Sequence, residues 1–159
     1  DSVLPRIVDF LAEVAPSDAS AMRDRAGLLA DSLTVLDQEI RDLLSQAPAR
    51  EFVATHDAWA YFCDRYELES LGSLYERPGH EPSARGLADL IEAARGASLA
   101  AVLTEPQLAA TAARAMAEEL GAEIVVVDPL GGPGLEGREG YMDMMRFNAR
   151  SFARALGSR

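Results

Sequence analysis

Apolar residues recur at helical spacing in the first third of the chain. Residues 2–15 form a predicted short helix that Pro16 ends, and a second helix is predicted from about 18 to 46, before Pro48. The apolar positions of the second helix follow a 4-3-4-3 spacing and make one continuous stripe. These positions are Leu29, Leu33, Leu36, Ile40 and Leu43. At 1.5 Å per residue this helix would be roughly 43 Å long, a length typical of helices that run between lobes.

After residue 48 the pattern alternates between short apolar runs and amphipathic stretches. The runs predict four strands, which are EFVAT, LESLGSLYE, LAAVLT and EIVVVD. The stretches predict four helices, which are DAWAYFCDRY, PSARGLADLIEAARG, PQLAATAARAMAEELG and YMDMMRFNARSFARAL. This order predicts an α/β fold, a four-stranded parallel sheet with helices on both faces, preceded by the long backbone helix. We therefore divide the chain into residues 1–47, which hold the first two helices, and an α/β lobe at 48–159.

Composition narrows the class of protein. With 159 residues the chain can bury a sizeable core, and no apolar run approaches the ~20 residues that span a bilayer. The net charge of −11 disfavours nucleic acid and anionic membranes as partners. Cys63 is the single cysteine and is expected to be a buried, inert thiol. Because the chain starts at Asp1, we interpret it as a processed or truncated product.

Three predicted strands end at a side chain that can bind a ligand. His56 follows the first strand, Glu105 the third and Asp128 the fourth. In an open parallel sheet, ligands bind beyond the carboxyl ends of the strands. An imidazole with two carboxylates suits a first-row metal ion. Taken singly, each residue also has an ordinary interpretation, His56 as a helix cap and the carboxylates as caps or partners of arginine, so the spacing alone leaves both possibilities open.

Other candidate motifs point to structure rather than chemistry. Asp57 is predicted in the first turn of its helix, and His80 in an exposed loop. The stretch GGPGLEG at 131–137 lacks the lysine and hydroxyl residue of a phosphate-binding loop and is predicted to be a flexible loop. No motif marks a serine or cysteine nucleophile beside His56.

The order of five motifs resembles one known family. These motifs are HDAWAYF, EPSARGLADLI, TEPQ, VVVDPLG and YMDMMRFNARSFARAL. In this order and spacing they resemble the carboxyl-terminal lobe of the zinc and manganese solute-binding proteins of ABC transporters. The long helix before them is similar to the rigid backbone helix that joins the two lobes in that family. The resemblance covers essentially the whole chain.

The resemblance implies a metal site shared between two lobes. It implies that His56 and Asp128 are this lobe's metal ligands and that two histidines come from the other lobe. It also implies that Glu105 lies next to the ligands and orients them without binding the metal. Histidine rather than glutamate at position 56 favours Zn²⁺ over Mn²⁺. With only half of the ligands, the chain alone is expected to bind zinc weakly.

The resemblance also implies the cellular setting. The protein would be no enzyme but the extracytoplasmic binding component of an ABC metal importer, similar to adhesion lipoproteins. Its partners would be a metal ion and the transporter permease, with membrane association through that permease or an upstream lipid anchor. The sheet is expected to cover only part of the stripe of the long helix, and the part that extends past the sheet predicts self-association of the fragment.

Two alternatives stay open on the sequence. One is a small α/β metal-dependent hydrolase with His56 and Asp128 on its metal. The other is an interaction module that binds no metal.

Overall fold

The computed structural model describes residues 3–75, 83–97 and 99–157. The chain forms two compact units, Asp1–Glu39 and Ile40–Arg159. His80, predicted to be exposed, lies outside the described residues. No helix among the described residues is long and apolar enough to cross a bilayer.

The first unit is helical, as the apolar spacing predicts. Helix α1 spans Val3–Val14, a short 3₁₀ turn spans Pro16–Asp18, and α2 spans Ala19–Ser45. Proline at the start of the 3₁₀ turn separates the two helices because its ring cannot continue α1. The last turns of α2 belong to the second unit, so the predicted domain boundary between residues 47 and 48 stays a prediction.

The second unit contains the predicted four-stranded parallel sheet. Its strands are β1 (Glu51–His56), β2 (Glu69–Tyr75), β3 (Ala101–Thr104) and β4 (Glu123–Val126). Their order is β2-β1-β3-β4, and every neighbouring pair is parallel. All four strands therefore end at one rim, which confirms the predicted fold class.

The register of the sheet sets the positions of the candidate residues at that rim. Ala54 pairs with Leu103, so His56 and Glu105 each follow this pair by two residues on adjacent strands. Thr104 pairs with Val126, and the Val127 N–H donates to the Thr104 carbonyl at 2.9 Å. Asp128 comes one residue later. The register therefore places all three residues at the same rim of the sheet.

Four helices follow the strands, although two begin later than predicted. They are α3 (Ala60–Tyr66), α4 (Ala84–Gly96), α5 (Thr111–Leu120) and α6 (Tyr141–Gly157). Before α3 the Ala58 N–H donates to the His56 carbonyl in a tight turn, so the prediction that Asp57 lies in the first helical turn is wrong. Before α5 the Leu108 N–H donates to the Glu105 carbonyl. Both turns keep the chain at the rim for several residues after each strand.

The two faces of the sheet pack differently. One face packs against α4 and α5 through a mostly aliphatic cluster that includes Val53, Val102 and Met116. On the other face Phe152 of α6 is central, with ring centroids 5.1 Å from Phe52, 5.0 Å from Trp59 and 4.8 Å from Phe62. The alternation of side chains along β1 explains the division, because Phe52 and Val53 point to opposite faces.

Replacing Phe152 by alanine should destabilise the fold strongly. Phe152 is fully buried among three aromatic rings, and removing such a side chain costs about 3–5 kcal/mol. Urea unfolding followed by circular dichroism measures the loss. Tyr61→Ala is the control, because that side chain is 92% exposed and its removal should change stability by no more than about 0.5 kcal/mol. Equal stability of the two variants would contradict the aromatic core described above.

Cys63 should react slowly with thiol reagents in the native protein. It is a buried free cysteine, as predicted, and burial together with Asp57 and Asp64 raises its pKa to about 11. At pH 8 only roughly a thousandth of the thiol is therefore ionised. Ellman's reagent should modify the native chain slowly and the chain in guanidinium chloride at once. Equally fast reaction in both states would contradict the described burial.

Candidate metal centre

His56 and Glu105 form the closest pair of candidate ligands. The His56 Nδ1 lies 3.8 Å from the Glu105 Oε1, with the histidine side chain 29% exposed and the glutamate side chain 4% exposed. This distance is longer than a hydrogen bond but short enough for the charges to interact. The imidazole thus reaches solvent at the rim while its Nδ1 faces a buried carboxylate.

Glu105 is a buried carboxyl group without a full set of partners. Its Oε1 accepts no hydrogen bond from the described residues. Burial raises its pKa above the usual range; His56 opposes this shift and Asp128 reinforces it. Asp128 acts on Glu105 because the neighbouring strands β3 and β4 end at the same rim.

Other polar atoms at the same rim share this lack of partners. The Thr55 and Thr104 hydroxyls and the Trp59 Nε1 are buried and have no hydrogen-bond partner among the described residues. Thr55 and Thr104 directly precede His56 and Glu105 on adjacent strands. Buried polar groups are normally satisfied by protein or water. These three groups therefore need partners other than the described protein residues.

Asp128 differs from Glu105 because its carboxylate is extensively hydrogen-bonded. Its Oδ1 accepts from the Gln107 side chain at 2.8 Å and from the Leu130 and Gly131 backbone N–H groups at 3.1 and 3.0 Å. Its Oδ2 accepts from the Arg138 Nη1 at 2.8 Å. Burial would raise the Asp128 pKa, but these hydrogen bonds and the Arg138 charge outweigh burial and lower it.

Asn148 of α6 holds the backbone of Asp128. Its Oδ1 accepts from the Asp128 N–H at 2.7 Å, and its Nδ2 donates to the Asp128 carbonyl at 2.8 Å. The residue is fully buried on an otherwise apolar part of α6. Asn148 is not among the predicted site residues, although an asparagine on the buried face of a predicted helix is a usable signal.

The loop after β4 places Arg138 against Asp128. The Gly132 N–H donates to the Arg138 carbonyl at 3.0 Å, and the Arg138 N–H donates to the Leu135 carbonyl at 2.9 Å. Gly131 has a φ of 58°, and a Cβ at this position would lie 2.5 Å from the Arg138 carbonyl oxygen. Only glycine permits this close approach. The GGPGLEG segment is a loop, as predicted, and its backbone hydrogen bonds hold Arg138 beside Asp128. Its flexibility stays a prediction.

The rim brings together residue types that can bind a metal ion, but they do not form a complete ligand set. Within residues 3–75, 83–97 and 99–157, no three His, Cys, Asp or Glu side chains form a group able to hold a metal ion. His56 and Glu105 face each other directly, whereas the contacts of Asp128 are with Gln107, Asn148, Arg138 and the loop. The roles of His56 and Asp128 as metal ligands and of Glu105 as their support stay predictions.

Comparison with known proteins identifies the family. Residues 2–155 match the model of the family described as zinc-uptake complex component A, periplasmic. The chain belongs to this family. Among curated relatives, the high-affinity zinc uptake system protein ZnuA of Brucella abortus is 25% identical over 150 residues, which cover 94% of this chain and 45% of the relative. The zinc-binding protein AdcA of Streptococcus pyogenes is 27% identical over 150 residues, covering 92% of this chain and 29% of that protein.

Solved structures of the family have the same fold. A crystal structure of ZnuA superposes with a TM-score of 0.83 at 30% identity, covering 94% of this chain and 55% of that one. The periplasmic zinc-binding protein TroA of Treponema pallidum superposes with a TM-score of 0.81 at 21% identity, covering 98% of this chain and 59% of that one. The chain thus spans between 29% and 59% of the length of these relatives.

Replacing Asn148 by leucine should destabilise the lobe. The substitution keeps the branching at Cγ with a larger side chain, and it leaves the buried N–H and carbonyl of Asp128 unpaired, at about 1–3 kcal/mol for each group. Chemical denaturation measures the loss. Ser32→Ala is the control, because Ser32 also bonds a backbone carbonyl but is exposed on α2, and its loss should change stability little. Wild-type stability of Asn148→Leu would contradict this role.

Proposed function

We propose that this chain is the carboxyl-terminal lobe of a zinc-binding protein that delivers its metal to an ABC importer outside the cytoplasm. The observation that carries the proposal is the family match over residues 2–155, to a periplasmic component of a zinc-uptake complex. The names of the relatives support zinc as the cargo, since ZnuA is a zinc-uptake protein and AdcA a zinc-binding protein. A structure of a ZnuA deletion mutant with zinc bound is 29% identical to this chain.

His56 is the proposed principal donor of this lobe. Its Nδ1 faces Glu105, which leaves Nε2 as the nitrogen available to the metal. A carboxylate beside the non-ligating nitrogen fixes the tautomer of a metal-bound histidine and raises its basicity. Glu105 supplies that carboxylate from a buried position, in keeping with its predicted supporting role. Imidazole favours zinc over manganese when the rest of the ligand set is similar.

Asp128 is the proposed second metal donor. Unlike His56, its side-chain atoms already accept several hydrogen bonds from described residues. Three hydrogen bonds occupy its Oδ1, whereas Oδ2 has the single described partner Arg138. Oδ2 is therefore the oxygen that would meet a metal ion. The carboxylate remains ionised at neutral pH because its pKa is lowered, which suits it to a cation.

The remaining ligands come from the other half of the longer protein. The resemblance implies two histidines there, and four ligands in all would complete a near-tetrahedral zinc site between two lobes. The protein then acts by capture and release of a metal ion and not as an enzyme. An ABC permease receives the metal, and membrane association comes through that permease or a lipid anchor. We do not propose the hydrolase, because the family match is to a transport component.

Calorimetric titration of the chain with Zn²⁺ tests the proposal. We expect weak binding, because four-ligand structural sites reach about 10–16 kcal/mol and this lobe supplies only part of a set. His56→Ala should abolish the binding, and Glu105→Gln should weaken it by about 10- to 100-fold. His80→Ala, which removes the only other histidine, is the control and should bind as the wild type does.

Two results would contradict the proposal. Nanomolar binding that survives His56→Ala would show that the metal is held elsewhere. Thermal stability that is the same with zinc and with a chelator, together with no heat of binding, would favour an interaction module without metal. Self-association of the isolated chain through the stripe on α2 stays a prediction, to be checked by light scattering.

A further inference from the structure

The side chain of Arg138 pairs with Oδ2, the Asp128 oxygen that has the fewest described hydrogen bonds. Its Nη1 lies 2.8 Å from Oδ2, with the arginine side chain 19% exposed and the aspartate side chain fully buried. At this depth a positive charge next to the carboxylate interacts more strongly than it would in water. A divalent cation approaching Oδ2 therefore meets a site already neutralised by the chain's own cation.

The position of Arg138 is fixed by the fold. Backbone hydrogen bonds to Gly132 and Leu135 hold its main chain. The guanidinium lies over the Phe147 ring of α6, 4.9 Å from the ring centroid, a favourable cation–π arrangement. These contacts come from the loop and from α6, independently of Asp128. The fold itself therefore holds Arg138 next to Asp128, in contrast to an ion pair between mobile surface side chains.

The ion pair is nevertheless incomplete. One guanidinium nitrogen contacts one carboxylate oxygen, and the Arg138 Nε is buried with no hydrogen-bond partner. A bidentate arginine–carboxylate pair would use two nitrogens and would be stronger. The pair thus lacks the second hydrogen bond that would strengthen it. The interaction is therefore of a kind that a metal ion can compete with.

We infer that Arg138 competes with the metal ion for Asp128 and thereby favours zinc over manganese. The inference rests on the proposed function. A metal must displace Arg138 before Asp128 can bind it, so the oxygen donor contributes less to affinity than its charge implies. Manganese depends more on oxygen donors, whereas zinc is bound well by imidazole. Arg138 thus acts as a specificity-determining residue without contacting the metal.

A double-mutant cycle on the whole chain tests this inference. Zn²⁺ and Mn²⁺ are titrated separately into the wild type, Arg138→Gln, Asp128→Asn and the double variant. Arg138→Gln should tighten Mn²⁺ binding by roughly tenfold, since it removes a charge-assisted hydrogen bond from the carboxylate, and Zn²⁺ binding by less. Asp128→Asn should weaken the binding of both metals, but less than His56→Ala does, and should abolish the gain in the double variant. Asparagine keeps a carbonyl acceptor for the Leu130 and Gly131 N–H groups.

A control variant and a second measurement separate the effect of Arg138 on metal binding from the effects of lost charge and lost stability. Arg85→Gln removes the same charge from a 92%-exposed side chain on α4 that pairs with Asp89, and it should leave both affinities unchanged. Thermal unfolding without metal should show lower stability for Arg138→Gln, because Asp128 then loses a partner. Should Arg138→Gln not fold, Asp128→Asn alone decides, since a loss of zinc affinity as large as that of His56→Ala overturns the inference.

Two negative outcomes have different meanings. Unchanged Mn²⁺ and Zn²⁺ affinities in folded Arg138→Gln, alongside zinc binding that depends on His56, overturn the inference and leave the proposed function standing. The inference is also overturned by a gain that persists in the double variant. Absence of His56-dependent zinc binding in the wild type overturns the proposed function itself.

Discussion

A buried carboxylate must be matched by donors, and Asp128 imposes this requirement on the whole rim of the sheet. Its oxygens and backbone bring together the turn before α5, the loop after β4, and α6 through Asn148. Leaving such a charge unpaired would cost several kcal/mol. Three segments, two of them loops and one a helix, therefore contact the same residue. These contacts fix the positions of the segments around the rim.

The sequence predicts the sheet well because its signals are strong and local. Continuous apolar runs in β1 and β3 are typical of strands covered on both faces, and each candidate residue lies at a strand end or within two residues after it. Arg138 and Asn148 could not be placed from the sequence. An arginine in a glycine-rich loop and an asparagine within a helix have no periodic pattern that links them to Asp128, and only the folded chain brings them together.

The late starts of α3 and α5 show where helix signals mislead. Pro106 suits the first turn of a helix, yet Leu108 bonds back to the Glu105 carbonyl and the helix begins at Thr111. The delay matters for the site, because Gln107 then lies in a turn from which its amide reaches Asp128. Competition between local helix propensity and a buried hydrogen bond is thus resolved in favour of the buried group.

The strand order has a consequence for the persistence of the site over time. Strands β1 and β3 are central, while β2 and β4 are edges. Opening a central strand breaks ladders on both sides, so its amides exchange with solvent only when most of the lobe unfolds, whereas an edge strand can open locally. His56 and Glu105 therefore extend from the slowest-exchanging part of the lobe. Asp128 follows an edge strand, and its contacts with Gln107, Asn148 and Arg138 hold it where no second neighbouring strand does.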